Sequence, residues 1–260
     1  MRVWAVANQK GGVGKTTTAV TLGGLLAERG QRVLLLDLDP HGSMTSYFGY
    51  DPDTLQNSSF HLFNDQDLSS NEVKSLLLKT SCEGMTLLPS SMALATVERR
   101  AAAEGMGLKT SRALAQIWDD FDYVLIDSPP VLGALMINAL AASERLLVPV
   151  QTEFLALKGL ERMIRTITMV TRSLKKELNY IIVPTMFDRR TQASVGALRE
   201  LRNTYTDTIW PSMIPIDTRF RDASREGKPV SQYQANCRGA CAYRSLLKSL
   251  LSLQDQRQQV

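Results

Sequence analysis

The chain has 260 residues, 44% of them hydrophobic and 22% charged, with a formal net charge of +4. That length suits one large domain with a sizeable core, and the composition excludes a collagen-like, disordered or disulfide-stapled chain. The charge is unevenly divided: residues 1–150 carry 12 Lys and Arg against 16 Asp and Glu, whereas residues 151–260 carry 18 against 10. A basic half suits either a polyanion, nucleic acid or an anionic membrane surface, or plain solvated surface.

In chain order, short apolar runs predict strands at residues 3–7, 33–38, 85–89, 123–127, 146–150, 180–185 and 210–214. Helical spacing between them predicts helices at 15–29, 93–104, 111–119, 131–142, 158–172, 194–205 and 240–253. Alternation of this kind implies the α/β class: a doubly wound, mainly parallel sheet flanked by helices, in a single domain spanning 1–260. Residues 51–70, rich in Asp, Asn and Ser, read as a surface excursion. Three cysteines and two histidines supply neither a disulfide framework nor a zinc site, so the thiols read as reduced in a cytoplasmic protein. The N-terminal apolar run is too short for a signal peptide, and no window reaches membrane-spanning length.

The strongest motif follows the first predicted strand: Asn8-Gln9-Lys10-Gly11-Gly12-Val13-Gly14-Lys15-Thr16-Thr17. Glycines there let backbone amides curl around a phosphate, and the helix that follows adds the positive end of its dipole. Lys15 is suited to the β- and γ-phosphates and the Thr16 hydroxyl to Mg²⁺. Gln9 occupies the position where the pattern G-x-x-x-x-G-K-[ST] has its first glycine. Two carboxylates end later strands. Asp39 closes Leu36-Asp37-Leu38-Asp39-Pro40, and Asp127 closes Val124-Leu125-Ile126-Asp127. In a doubly wound sheet such positions face the ligand crevice, and Asp127 reads as the carboxylate that holds Mg²⁺ through a water.

Lys10-Gly11-Gly12-Val13-Gly14-Lys15-Thr16 resembles the deviant Walker A motif of the ParA/MinD family of P-loop ATPases. The resemblance implies ATP and Mg²⁺ as ligands. It also implies a homodimer closed around two nucleotides, with Lys10 reaching the partner subunit's nucleotide and joining Lys15 and Asp39 in catalysis. Residues 39–43 resemble the family's first switch segment, so Asp39 would position the attacking water near the metal; His41 stands where the family commonly has glutamine. Asp37 would support the water shell of the metal. Residues 131–140 resemble the second switch helix, in which an apolar face serves both core and interface. Further similarity runs through 146–153, 156–160, 184–191 and 238–243, with 51–119 the least matched stretch. It places Met186, Asp188 and Pro215 about the adenine, and no guanine-reading N-K-x-D occurs.

Two surface partners follow from the same likeness. Family members that bind non-specific DNA use basic residues of the C-terminal part, and Arg189, Arg190, Arg219 and Arg221 are the candidates here, although Ile216 stands where many of them have arginine. MinD-type members carry an amphipathic membrane segment beyond the core; residues 252–260 offer no apolar face, so no direct anchor is expected. The segment 39–47 looks most like the ParC-type ATPases that place chemotaxis arrays at cell poles, with plasmid or chromosome partition on the nucleoid as the alternative. A hydrolysis-stimulating partner, ParB-like or a chemotaxis-array adaptor, is implied in either case. A metabolic ATP-dependent ligase of the same fold is the reading from another class.

Overall fold

Runs such as Val33-Leu34-Leu35-Leu36 become strands covered on both faces, and seven strands form one sheet in the computed structural model, which describes residues 1–63, 66–100, 106–176 and 178–258. The first half of the chain runs β1 (Arg2–Val6), α1 (Lys15–Ala27), β2 (Val33–Asp37), α2 (Ser43–Tyr47), a 3₁₀ turn (Ser59–Phe63), α3 (Ser70–Ser75), β3 (Leu78–Lys79), β4 (Met85–Leu88), α4 (Leu94–Arg100), a second 3₁₀ turn (Met106–Leu108), α5 (Lys109–Ala115) and β5 (Tyr123–Asp127). The second half runs α6 (Ala134–Ala142), β6 (Arg145–Gln151), α7 (Phe154–Ser173), β7 (Asn179–Thr185), α8 (Gln192–Thr204), α9 (Arg219–Arg225), α10 (Val230–Tyr233) and α11 (Arg238–Gln258).

The strand order is β3-β4-β2-β5-β1-β6-β7, parallel throughout except for β3, which pairs antiparallel with β4 at one edge. β1 pairs with β5 on one side and β6 on the other. From β1 the chain departs toward β2 on one side, while β6 and β7 fill the other, so the order reverses at the carboxyl end of β1. Ligands of doubly wound sheets bind at such a reversal. Strand pleating divides the core: Val3, Ala5, Leu34 and Leu36 pack with Leu135, Leu157 and Leu160, whereas Trp4, Val6, Val33 and Leu35 pack with Val20, Leu22 and Leu246.

Three expectations need correction. Residues 210–214 form no regular strand among the described residues. The segment lies beside β7, with Trp210 N–H on the Ile182 carbonyl at 2.9 Å and Ile214 N–H on the Pro184 carbonyl at 2.8 Å. Pro211, between them, has no amide to continue the ladder. The second correction concerns 51–70, which is more than surface: Leu62 and Phe63 enter the core and the Ser59 hydroxyl donates to the Asp37 carbonyl at 2.7 Å. Third, the helix placed at 131–142 starts at Ala134, since Pro129 and Pro130 remove two amides just upstream. The helix placed at 93–104 is seen over Leu94–Arg100, and its expected residues 101–104 lie outside the described residues. α7 begins four residues before the expected 158 and α11 runs five beyond the expected 253.

Candidate nucleotide-binding site

The phosphate loop bridges β1 and α1 at the reversal point. Asn8 anchors its entry, donating from Nδ2 to the Pro149 carbonyl at 2.7 Å and accepting the Lys10 amide at 2.9 Å. Its far end is tied to β7 by the Thr185 hydroxyl, which donates to the Val13 carbonyl at 3.0 Å. Gly12 and Gly14 adopt φ of +73° and +91°, and a Cβ on Gly11, Gly12 or Gly14 would meet nothing within 4 Å. The loop is therefore an open cradle whose curvature requires left-handed backbone at two positions. Lys15 is buried at the base of α1, Val13 is buried, and Thr16 and Thr17 are half-buried beside the cradle.

The metal-type groups converge behind this loop. The Thr16 hydroxyl donates to Asp127 Oδ2 at 2.5 Å, while Asp127 Oδ1 is buried with no hydrogen-bond partner among the described residues. Burial pushes the Asp127 carboxyl up to about 8, with neighbouring Asp37 adding to the rise and Thr16 and Lys15 opposing it. A buried carboxylate oxygen without a partner, beside a hydroxyl and a lysine, fits a divalent cation and its water shell. Asp39 is 8% exposed; Oδ1 accepts the His41 amide at 3.0 Å, and Oδ2 makes no hydrogen bond to the described residues. His41 itself is exposed and contributes only that amide.

Asp37 makes hydrogen bonds that the sequence did not suggest. Its Oδ1 accepts the Asp39 amide at 3.1 Å, and its Oδ2 accepts both the amide and the hydroxyl of Thr45, at 2.9 and 2.8 Å. Both oxygens hold the segment that carries Asp39 and Thr45. Burial raises its carboxyl to about 7 against these hydrogen bonds.

A cleft of about 620 Å³ runs from Gly14, Thr16 and Thr17 to Met186, Pro215 and Ile216. Met186 sits there with φ of +53°, a left-handed conformation costly for a residue with a Cβ. The cleft wall is fixed by Phe187 N–H to the Ile214 carbonyl and Ile216 N–H to the Phe187 carbonyl, each 3.1 Å. Asp188 does not line this cleft: its carboxylate takes Arg190 Nε and Nη2 at 2.9 and 2.7 Å, and Arg190 holds the carboxyl down at about 2. Tyr47, Phe220 and Tyr243 also line the cleft. Sequence reasoning missed these three aromatics, because each comes from a different helical segment and no local motif joins them.

Lys10 stands at the mouth of the site. Its Nζ donates to Gln151 Oε1 at 3.1 Å and pairs with Glu153, and the Lys10 and Glu153 side chains are both 38% exposed. Neither partner was foreseen, since Gln151 ends β6 and Glu153 follows it as the N-cap of α7, 141 and 143 residues on.

A family model described as "AAA domain" matches residues 1–180. The sporulation initiation inhibitor protein Soj of Bacillus subtilis is 35% identical over 251 residues, 96% of this chain and 98% of its own. The chromosome partitioning protein ParA of Caulobacter vibrioides is 36% identical over 262 residues, 99% and 97% of the two chains. This chain belongs to the ParA/MinD family of P-loop ATPases. Among solved structures, cobyrinic acid a,c-diamide synthase from Mycobacterium smegmatis with bound ADP and magnesium is 38% identical with a TM-score of 0.82, covering 96% of this chain and 94% of that one. As a ParA/MinD member, the chain places its deviant loop, Asp39, Asp127 and the cleft along the edge of the sheet formed by the carboxyl ends of the central strands β1, β2 and β5.

The arginines are dispersed around that edge. Arg189 and Arg190 are exposed in the turn after β7, with Arg190 paired to Asp188. Arg219 pairs with Asp222 at 3.2 Å on α9, and Arg221 lines the cleft rim. Among the described residues, no helix is long and apolar enough to cross a membrane.

Proposed function

We propose that this ParA/MinD member is one ATPase domain over residues 1–260, which binds ATP with Mg²⁺ and alternates between a monomer and an ATP-closed homodimer to segregate or position a cellular cargo. The observation that carries this reading is Lys10, held at the mouth of the cleft by Gln151 and Glu153 rather than inside its own phosphate cradle. A cation so placed is available to a second subunit's nucleotide, where it would neutralise charge on the transferring phosphoryl group.

When bound, Mg²⁺ supplies charge neutralisation on the β- and γ-phosphates. The chain's own residues do the rest. Gly11–Gly14 amides and Lys15 grip the phosphates, with Thr17 following on the first turn of α1. Thr16 and Asp127 would hold the metal, and Asp39, whose Oδ2 makes no hydrogen bond to the described residues, would orient the attacking water close to it. Met186 and Pro215 enclose the base, and Asp188 acts on that wall only through its turn with Arg190. In-line attack then needs only positioned water and a stabilised γ-phosphate, a chemistry that is slow without a stimulating partner.

Of the cargoes, chromosome or plasmid DNA is favoured over a polar chemotaxis array, since relatives named for partition match over nearly their whole length. Cytoplasmic residence on the nucleoid fits this cargo, and Arg189, Arg190, Arg219 and Arg221 are the phosphate contacts, with a ParB-like partner stimulating hydrolysis. The pole would go with a chemotaxis adaptor instead. A ligase reading follows from the name of the Mycobacterium smegmatis structure, but a second large groove, about 610 Å³ around Arg145, Asp207 and Lys248, opens at the amino ends of β6 and β7. That is about 20 Å of strand away from the phosphate loop, too far for a second substrate to meet the γ-phosphate. DNA retention with ATP, with ADP and without nucleotide, across salt, tests the proposal. Binding with a steep salt slope only in ATP supports partition, and absent DNA binding with intact ATP turnover moves the cargo to a protein.

A further inference from the structure

The helix that follows the Asp127 strand is gripped from outside at both ends. Between Asp127 and α6 lies a joint, residues 128–133. Its start is fixed by Ser128, whose amide and hydroxyl both donate to the Val6 carbonyl, at 3.3 and 3.0 Å. Pro129 and Pro130 carry no amide, Val131 is exposed, and the N-cap residue Gly133 has no side chain with which to satisfy the first turn. Glu98 of α4 supplies the missing acceptor. Its Oε2 takes the Ala134 amide at 2.8 Å and its Oε1 the Leu135 amide at 3.2 Å. The carboxylate comes so close that a Cβ on Gly133 would stand 1.7 Å from Oε2. At the other end Lys176 Nζ donates to the carbonyls of Ala141 and Ser143, at 2.7 and 2.5 Å. An anion at the amino end and a cation at the carboxyl end both complement the helix dipole.

The two grips differ in what lies beside them. Lys176 holds the end of α6 remote from the nucleotide, whereas Glu98 holds the end that is continuous with the metal-binding carboxylate. Glu98 also sits in the stretch 51–119 that least resembles the family, so nothing in the motifs points to it.

We infer that Glu98 is a positioning residue for ATP hydrolysis: by holding the first turn of α6 it fixes the 128–133 joint, and through the joint Asp127 and the exposed Val131. The inference rests on the ATPase reading above. Glu98 is not among the residues lining the cleft, and its effect is carried by the backbone between Leu135 and Asp127.

The test uses the full chain with Glu98→Ala, Glu98→Gln and Lys176→Met, read by steady-state hydrolysis of Mg·ATP and by amide hydrogen exchange without nucleotide. Glu98→Ala is expected to lower kcat about tenfold, the scale of a lost cap, with KM within about twofold, because the phosphate loop is untouched. Glu98→Gln keeps a carbonyl oxygen for one of the two amides and should recover most of that loss. Lys176→Met should lower the melting temperature with kcat unchanged. Glu98→Ala leaving kcat unchanged or raising it, or Lys176→Met lowering kcat as much, would overturn the inference. A wild-type chain without turnover would overturn the ATPase reading instead. Exchange at Ala134 and Leu135 then judges the grip itself: about tenfold faster in Glu98→Ala and unaltered in Lys176→Met if it holds, equal in all three chains if it does not.

Discussion

Gly133→Ala isolates the contact between Glu98 and α6 with one methyl group. The Gly133 backbone, φ −139° and ψ −163°, is extended and open to alanine, so the substitution introduces no backbone strain. What it introduces is a Cβ 1.7 Å from Glu98 Oε2 and 2.8 Å from Oε1. The carboxylate must therefore leave both amides it now accepts. Loss of a helix cap costs about 1 kcal/mol, within a range of about 0.5–2. For a chain of this size 1 kcal/mol corresponds to a fall in Tm of about 2–4 °C, before the offsetting entropy gain of the Gly→Ala change itself. In a Glu98→Ala background the clash is gone, and Gly133→Ala should instead stabilise by about 0.4–1 kcal/mol, through the smaller entropy of the unfolded chain. The entropy gain acts in both backgrounds and cancels in the double-mutant cycle, so the coupling equals the lost cap, about 1 kcal/mol, with Gly133→Ala less favourable by that amount when Glu98 is present. Thermal or urea unfolding of the four chains measures it. Additive effects, with Gly133→Ala equally destabilising in both backgrounds, would refute the reasoning.

Asp39→Ala is expected to bind ATP normally, lose hydrolysis and accumulate as an ATP-bound dimer in light scattering; a monomer under saturating Mg·ATP would remove Asp39 from the water-positioning role. Burial holds the carboxyls of Asp37 and Asp127 at about 7 and about 8 in the fold, above the unfolded value of about 4. Groups with a raised folded pKa bind more protons folded than unfolded, so the Mg²⁺-free chain should lose stability as pH rises from about 4 to 8. Urea midpoints at about pH 5.5 and pH 8 read this, Mg·ATP should flatten the slope, and equal midpoints without Mg²⁺ would contradict the buried-carboxylate account.

The sheet and the phosphate loop were legible because their signals are local. β2 and β5 are unbroken apolar runs ending in a carboxylate, and the loop places its glycines where the structure shows open, left-handed backbone. Residues 210–214 misled because a short apolar run reads as a strand, while Pro211 denies the pairing that would make it one. The hydrogen bonds that Asp37 and Asp188 make within the protein were not foreseen, for a related reason. Position beside a motif suggested ligand contact, yet Thr45 claims one carboxylate and Arg190 the other. Glu153, Glu98 and the cleft aromatics were invisible, since each acts across a separation of dozens of residues or more and leaves no spacing to read.

Light scattering of the full chain with Mg·ATP and with Mg·ADP, beside Lys10→Ala, tests the central claim most directly. A dimer with ATP, a monomer with ADP, and a monomer for Lys10→Ala in both is the predicted result. One mass for the wild type in every nucleotide state, or unaltered dimerisation of Lys10→Ala, would contradict the claim that Lys10 closes an ATP-dependent pair.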